Sequence, residues 1–182
     1  MRAKILFFVG IIVSAGAAAT PAVSEELIYS PWTKFCLNDT CFVARDARTA
    51  SDCILRFWAA LIERTGKTEK TLSVGVPPSV DQGRGVRIAI DQDQPIERPY
   101  GRCDANSCYA QIDGGAELIA RLKRGRKLIL DAVGTTGPMH FELPLADFAA
   151  AYDGPPQEPK VFKSQEEAEK ERDEGKVWCD AN

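Results

Sequence analysis

Apolar and polar residues alternate with a period of two along much of the chain between Leu27 and Phe141. In residues 71–76 and 86–91 every second side chain is apolar, which is typical of strands with one face on a core and the other in water. Residues 126–133 and 138–143 are a further predicted strand pair, joined by a turn at 134–137. Short strands at regular spacing predict a mainly β protein, a sandwich or a barrel.

The segment Cys53–Ile62 is apolar on both faces except at Arg56, which predicts a central, covered strand. Tryptophan side chains can serve as sugar-stacking platforms, and the chain has three of them. Because aromatic residues in strands are more often core residues, and Trp32 and Trp58 lie in apolar patterns, we interpret these two as core. Trp178 lies near the C-terminus.

Helices are predicted in three places. Residues 116–123 and 145–152 each place apolar side chains on one face, and each is followed by a glycine, Gly125 or Gly154. Residues 157–182 form a charged C-terminal tail, in which Ser164 begins a capping-box pattern that predicts a polar, solvated helix.

The first 24 residues have the pattern of a cleavable secretory signal. Two basic residues precede an apolar run from Ile5 to Ala19, and small residues and Pro21 follow. The run is shorter than the roughly 20 residues that span a bilayer, and no later segment is long and apolar enough. The sequence therefore predicts a signal peptide at 1–24, a domain at 25–156 and a periplasmic or secreted product without a transmembrane segment.

All six cysteines follow the predicted signal, and an even number in an exported chain predicts three disulfides. Two pairs enclose four turn-prone polar residues each, and facing positions of a hairpin have Cβ atoms about 4.5–5.5 Å apart. We therefore predict the disulfides Cys36–Cys41 and Cys103–Cys108. Elimination leaves Cys53–Cys179. A zinc site is the alternative, but only one histidine accompanies the cysteines.

Charge and candidate chemistry exclude several functions. Removal of residues 1–24 leaves 21 basic and 26 acidic residues, a net charge of −5, so we expect no nucleic-acid partner. His140 is the only histidine and the only ready general base, but no nucleophile in a recognisable setting accompanies it. Asp91 and Asp93 lack the further ligands of a calcium loop, and residues 83–85 lack the spacing of a phosphate loop. We expect no catalytic residues, metal or cofactor.

A series of short motifs occurs in one order along residues 27–163. The motifs, with x for any residue, are Pro31-Trp32-x-Lys34-x-Cys36, Leu61-Ile62-Glu63, Val74-x-Val76-Pro77, Val86-x-Ile88-x-Ile90-Asp91, Pro99-Tyr100-x-x-Cys103-x4-Cys108-x-Ala110, Glu117-Leu118-Ile119-x-x-Leu122-Lys123-x-Gly125 and Leu143-Pro144-Leu145-x-x-Phe148-x-x-Ala151-Tyr152-Asp153-Gly154-Pro155-Pro156. In this order they resemble the invasion-associated locus B family of exported bacterial proteins. Cys53 and Cys179 depart from the family pattern together.

The resemblance implies an immunoglobulin-like β-sandwich with two short helices and a charged helical tail. It also implies a non-enzymatic envelope or interaction protein that aids host-cell invasion, with an unidentified protein or envelope partner. The alternatives are a periplasmic envelope-maintenance protein and a hydrolase that uses His140. Because scaffolds present their binding sites on loops, we expect the contact residues at the hairpin tips 37–40 and 104–107 and at the turn 77–85.

Overall fold

The computed structural model describes residues 25–158. The predicted signal peptide at 1–24 and all but the first two residues of the predicted tail at 157–182 lie outside this part, and both stay predictions. Among the described residues no helix has the length and hydrophobicity needed to cross a membrane.

Strands make up most of the secondary structure, and two short helices follow late in the described part. The elements are β1 (Leu27–Tyr29), β2 (Thr33–Leu37), β3 (Thr40–Thr49), β4 (Leu55–Arg64), β5 (Lys70–Val76), β6 (Val86–Ile90), β7 (Ile96–Arg98), β8 (Arg102–Cys103), β9 (Cys108–Gly114), α1 (Ala116–Arg124), β10 (Lys127–Gly134), β11 (Gly137–Pro144) and α2 (Phe148–Asp153).

The strands form two antiparallel sheets. Sheet A has the order β1-β3-β4-β5-β9-β8, and β2 pairs with the same edge of β3 as β1 does; sheet B has the order β11-β10-β6-β7. This confirms the mainly β sandwich. The layering is immunoglobulin-like, but the connectivity has its own form, because the four consecutive strands β2 to β5 make one meander within sheet A.

The predicted alternation is confirmed in β10, where every second residue is buried, but not in β5, where Ser73 and Gly75 on the second face are buried as well. Leu72, Val74 and Val76 are at most 1% exposed, and they face the core between the sheets. The predicted pair β10–β11 continues in register to Gly134 and Gly137, where the turn begins. Period-two patterning thus located these strands, because one side chain in two had to be buried.

Aromatic side chains and a few buried polar contacts join the two sheets. Phe57 of sheet A packs on Phe141 of sheet B, with ring centroids 4.9 Å apart. Trp32 is 5% exposed, which confirms it as a core residue, and its Nε1 donates a 3.0 Å hydrogen bond to the carbonyl oxygen of Pro144. Arg45 Nη1 donates a 2.9 Å hydrogen bond to the same oxygen.

The second helix begins later than the sequence predicts. It was expected at 145–152, but α2 starts at Phe148 because its N-cap, Asp147, has a left-handed backbone conformation with φ of 66°. Leu145 instead lies buried in the connection from β11 and contacts the core. The first helix agrees with its prediction within one residue, and each helix ends before the expected glycine.

Candidate functional site

Each edge of sheet A carries a hairpin closed by a disulfide. Cys36–Cys41 joins β2 to β3 with Sγ atoms 2.03 Å apart, and Cys103–Cys108 joins β8 to β9 with Sγ atoms 2.04 Å apart. These are the two pairs that the spacing predicts, and disulfides indicate an oxidising compartment. Cys179 lies outside the described residues, so the Cys53–Cys179 pair stays a prediction.

The two hairpin tips lie at opposite ends of the strands of sheet A, so they share no surface. Cys41 is paired with Glu63 near the end of β4, whereas Cys108 is paired with Val76 at the end of β5. The tip 37–40 exposes Leu37, which keeps 49% of its surface in solvent. The loops proposed from the sequence therefore do not form one site.

The tip 104–107 is held by its own first residue. Asp104 Oδ1 accepts hydrogen bonds from the backbone N–H groups of Asn106 and Ser107, at 2.9 and 3.1 Å, while Oδ2 accepts one from the Tyr109 hydroxyl at 2.8 Å. These bonds lower the pKa of Asp104 to about 2. The tip is thus a fixed turn that holds Tyr109 from one end.

The turn 77–85 packs against sheet B. The backbone N–H of Asp81 donates a 2.7 Å hydrogen bond to the carbonyl oxygen of Val133, and Val80 forms a bridge to Gly134. Gly85 has a φ of 71°, and a Cβ there would collide with the backbone of Arg98. The turn is therefore a structural element that needs its glycine, and only its start, next to Cys108, lies near the tip 104–107.

One row of residues crosses the outer face of sheet A, the face turned away from sheet B. Strand pairing places Asp46, Trp58, Gly75, Tyr109 and Arg102 opposite one another on five adjacent strands. We call them the aromatic row. Their positions in sequence run from 46 to 109, so only the register of the sheet brings them together.

Trp58 lies on this outer face and is half-buried, so its interpretation as a core residue is wrong. Its indole covers Gly75, where an added Cβ would collide with the ring. The Tyr109 ring is next, with its centroid 5.6 Å from that of Trp58, and the Arg102 guanidinium carbon lies 5.1 Å from the Tyr109 centroid. A glycine opposite a tryptophan thus lets the indole lie along the sheet.

Small and polar residues form the next row and separate the aromatic row from a second bulky row. This groove floor consists of Thr33, Ala44, Ala60, Ser73 and Gln111. Beyond it Phe35 and Phe42 stack with centroids 5.2 Å apart and form the other wall with Ile62. The Cα atoms of the two walls are about 14 Å apart and the floor is about 19 Å long, from standard strand dimensions. In the middle of the floor Ala60 and Ser73 are only 7% and 4% exposed, so neighbouring side chains cover most of it there. We call this depression the sheet A groove.

One end of the sheet A groove opens into a cavity of about 550 Å³, a size typical of small-ligand sites. Its lining includes the two arginines Arg98 and Arg102 and no carboxylate. The Arg98 guanidinium donates to the carbonyl oxygen of Glu97, and within residues 25–158 it forms no ion pair. Arg102 is shared between Asp104 and the Tyr109 ring. This end of the groove therefore carries positive charge.

At its other end the groove reaches a second depression, which is more apolar. It lies where the chain bends between β1 and β2, and its lining includes Pro31, Leu55 and Trp58. Trp58 therefore borders the apolar end and Tyr109 the positive end.

His140 lies on the outer face of sheet B, exposed between two carboxylates. Its Nδ1 is 2.6 Å from Asp131 Oδ1 and its Nε2 is 3.2 Å from Glu142 Oε1. The hydrogen bond to Asp131, and then that to Glu142, raises the pKa of His140 above its usual value. Lys127 contacts Glu142 as well. Both ring nitrogens therefore have carboxylate partners. This is the arrangement of an ion-pair network, whereas a catalytic base would have one ring nitrogen facing a nucleophile.

Within residues 25–158 no three His, Cys, Asp or Glu side chains are grouped as a metal site would require. The four cysteines whose partners are described are in disulfides and have no thiolate to offer a metal.

Sequence reasoning missed the residues of the groove because it assigned both apolar faces of the segment 53–62 to the interior. The apolar pattern itself contained a signal for these residues. A strand in a two-layer sandwich has only one face on the core, so apolar residues on its second face indicate an apolar patch on the protein surface.

Comparison with known proteins identifies a family and similar solved structures. The family model described as "Invasion associated locus B (IalB) protein" matches residues 32–156. The crystal structure of invasion associated protein B from Bartonella henselae is similar, with a TM-score of 0.59 and 16% sequence identity over 69% of this chain and 94% of that chain. At this identity the similarity is one of fold. No curated protein sequence matches the chain.

Proposed function

The chain belongs to the invasion associated locus B family, and from this premise we propose that it is an exported, non-enzymatic binding protein of the bacterial envelope whose contact surface is the sheet A groove. The observation that carries the proposal is the aromatic row, a tryptophan and a tyrosine on the outer face of a sheet, held in place by a disulfide-closed hairpin. Trp58 and Tyr109 are half-buried, so each keeps part of its ring in solvent, and aromatic side chains on a surface are enriched at binding sites.

Export is supported by the signal-peptide pattern of residues 1–24 and by the two disulfides. Fractionation of the producing bacterium tests it directly. We expect the mature chain, shortened by about 20–24 residues, in the periplasmic or secreted fraction. An uncleaved chain in the cytosol would contradict export.

The absence of catalysis is supported by the surroundings of His140, whose ring nitrogens face Asp131 and Glu142. Purified protein and its His140→Gln variant can be compared on generic ester, peptide and glycan substrates. We expect no turnover by either. Turnover that the substitution removes would establish the hydrolase alternative instead.

Binding through the groove is tested by photocrosslinking in living cells. A photoreactive residue is placed at Gln111 on the groove floor and, as the matched control, at Ile129 on the outer face of sheet B. We expect an adduct from position 111 that the Trp58→Ala substitution abolishes, and none from position 129. Equal adducts from both positions would show that the groove is not the contact surface.

A contribution to host-cell invasion is a finer proposal, which rests on the family description alone. A deletion strain tests it with two measurements, entry into cultured host cells and sensitivity to envelope stress. Reduced entry that the unsubstituted gene restores, and the Trp58→Ala gene does not, would support invasion. Normal entry with increased envelope sensitivity would favour the envelope-maintenance alternative.

A further inference from the structure

We propose that the sheet A groove binds a linear anionic glycan, with Trp58 and Tyr109 stacked on its sugar rings and Arg98 and Arg102 at its acidic groups; this rests on the proposed binding function. Three features of the groove carry the inference: its ring surfaces, its charge and its shape.

The ring surfaces suit sugars. A pyranose has C–H groups on its faces and hydroxyls at its rim, so it pairs with a flat aromatic ring that has polar groups beside it. Trp58 covers Gly75 with one side of the indole, and its remaining surface lies at the groove. Gln111 is exposed, lines the cavity beside Tyr109 and offers an amide to the sugar hydroxyls.

The charge of the cavity selects an acidic glycan over a neutral one. Two guanidinium groups line it; Arg98 forms no ion pair within residues 25–158, whereas Arg102 is paired with Asp104 over 3.2 Å. A guanidinium group binds carboxylates and phosphates through paired N–H donors, with a geometry that no neutral hydroxyl reproduces. The mature chain is acidic as a whole, so this positive end is a local feature and not a consequence of overall charge.

The shape of the groove favours a chain of sugars over a peptide. The floor crosses five strands, about 19 Å, which exceeds the length of one sugar ring. It narrows at Ala60 and Ser73 and widens into a depression at each end, so a ligand that reaches both ends has to be a chain. Between its ends the strands on both sides already use their backbone N–H and C=O groups in ladder hydrogen bonds. An extended peptide added as a strand needs a free edge, and the groove lies on a face.

Titration calorimetry of the full chain, purified with its disulfides formed, tests the proposal with three probes. These are hexagalacturonate as the acidic glycan, cellohexaose as a neutral glycan of equal length, and vesicles that contain phosphatidylglycerol as an anionic surface without sugars in a row. We expect hexagalacturonate to bind at least about tenfold more tightly than cellohexaose, since charged hydrogen bonds add affinity. The vesicles should give no signal. Binding should weaken as salt is added.

Variants then place the site. Trp58→Ala and Arg98→Gln should each weaken hexagalacturonate binding about tenfold, because each removes one contact that the other residue cannot replace. Gly75→Val removes no groove side chain, yet it should weaken binding equally, because the new side chain displaces the indole. His140→Gln and Gly115→Ala are matched controls, the former on sheet B and the latter with open space around the added Cβ. Both controls should bind hexagalacturonate as the unsubstituted chain does.

Three results would overturn the inference: equal affinity for the acidic and neutral hexamers, binding of the vesicles, or no binding of any probe. An unchanged affinity in Trp58→Ala, with circular dichroism showing a folded chain, would also overturn it. The crosslinking result separates this failure from that of the proposed function. A Trp58-dependent adduct at position 111 without glycan binding would leave the envelope-binding function in place and reject the glycan.

Discussion

The outer faces of the two sheets are built from the same period-two strands, yet they present opposite chemistry. On sheet B the charged side chains are paired with one another: His140 with Asp131 and Glu142, and Arg87 with Glu97 across β6 and β7. Sheet A also has ion pairs, Asp46 with Arg48 and Arg102 with Asp104, but its central positions carry Trp58, beside a groove with Arg98 at one end. A surface that satisfies its own charges has little to gain from a partner, whereas an aromatic groove gains by covering its apolar area.

The largest expected effect on stability tests whether the outer face of sheet A is a solvent-exposed surface or a second hydrophobic core. Phe57→Ala, on the inner face of β4, should lower the free energy of unfolding by about 3–5 kcal/mol, because it leaves a cavity between the sheets. Trp58→Ala, one residue away on the outer face, should cost only about 1 kcal/mol, the size of a cross-strand contact. Urea unfolding measures both. Equal losses would mean that the outer face of sheet A is covered after all.

The two disulfides sharpen the comparison within sheet A. Replacing Cys36 and Cys41 together by alanine, or Cys103 and Cys108, should lower the free energy of unfolding by about 2 kcal/mol in each case, as expected for loops of this length. Only loss of the second pair should also weaken binding at the sheet A groove, because that hairpin carries Tyr109 and Arg102. Calorimetric unfolding and the crosslink at position 111 give the two readouts. Equal loss of the crosslink in both variants would contradict this division.

The smallest effect is expected on sheet B. Because its partners raise the pKa of His140, the protonated ring stabilises the fold fully below its unfolded pKa, and this contribution disappears as the pH rises through the folded value. His140→Gln should therefore cost less than about 1 kcal/mol at pH 5.5 and almost nothing at pH 8.5, since the group is exposed. Proton NMR titration of the ring should give a pKa above 6.5 that falls in Asp131→Asn. A value at or below 6.5 would contradict the network.

Trp32 and Trp58 show what a local sequence pattern can and cannot predict. Each lies in an apolar stretch, so the sequence pattern predicts the same environment for both. In the structure Trp32 is buried between the sheets, whereas Trp58 lies on the outer face of sheet A. In β4 the residues on both faces are apolar, so the alternation that decides inside from outside is missing there. Which face of β4 is covered depends on the position of sheet B, whose strands are distant from β4 in the sequence.

The sequence alone predicts the strands at 71–76, 86–91, 126–133 and 138–143, the two helices to within a few residues, and the two hairpin disulfides, because each depends on residues within about ten positions of one another. It does not assign β1, β3 or β7. The tertiary structure alone assembled the aromatic row from positions 46 to 109 and placed His140 between Asp131 and Glu142. Those neighbours are set by strand register and by which face another layer covers. Both are properties of the packed sheets, and no local stretch of the chain contains them.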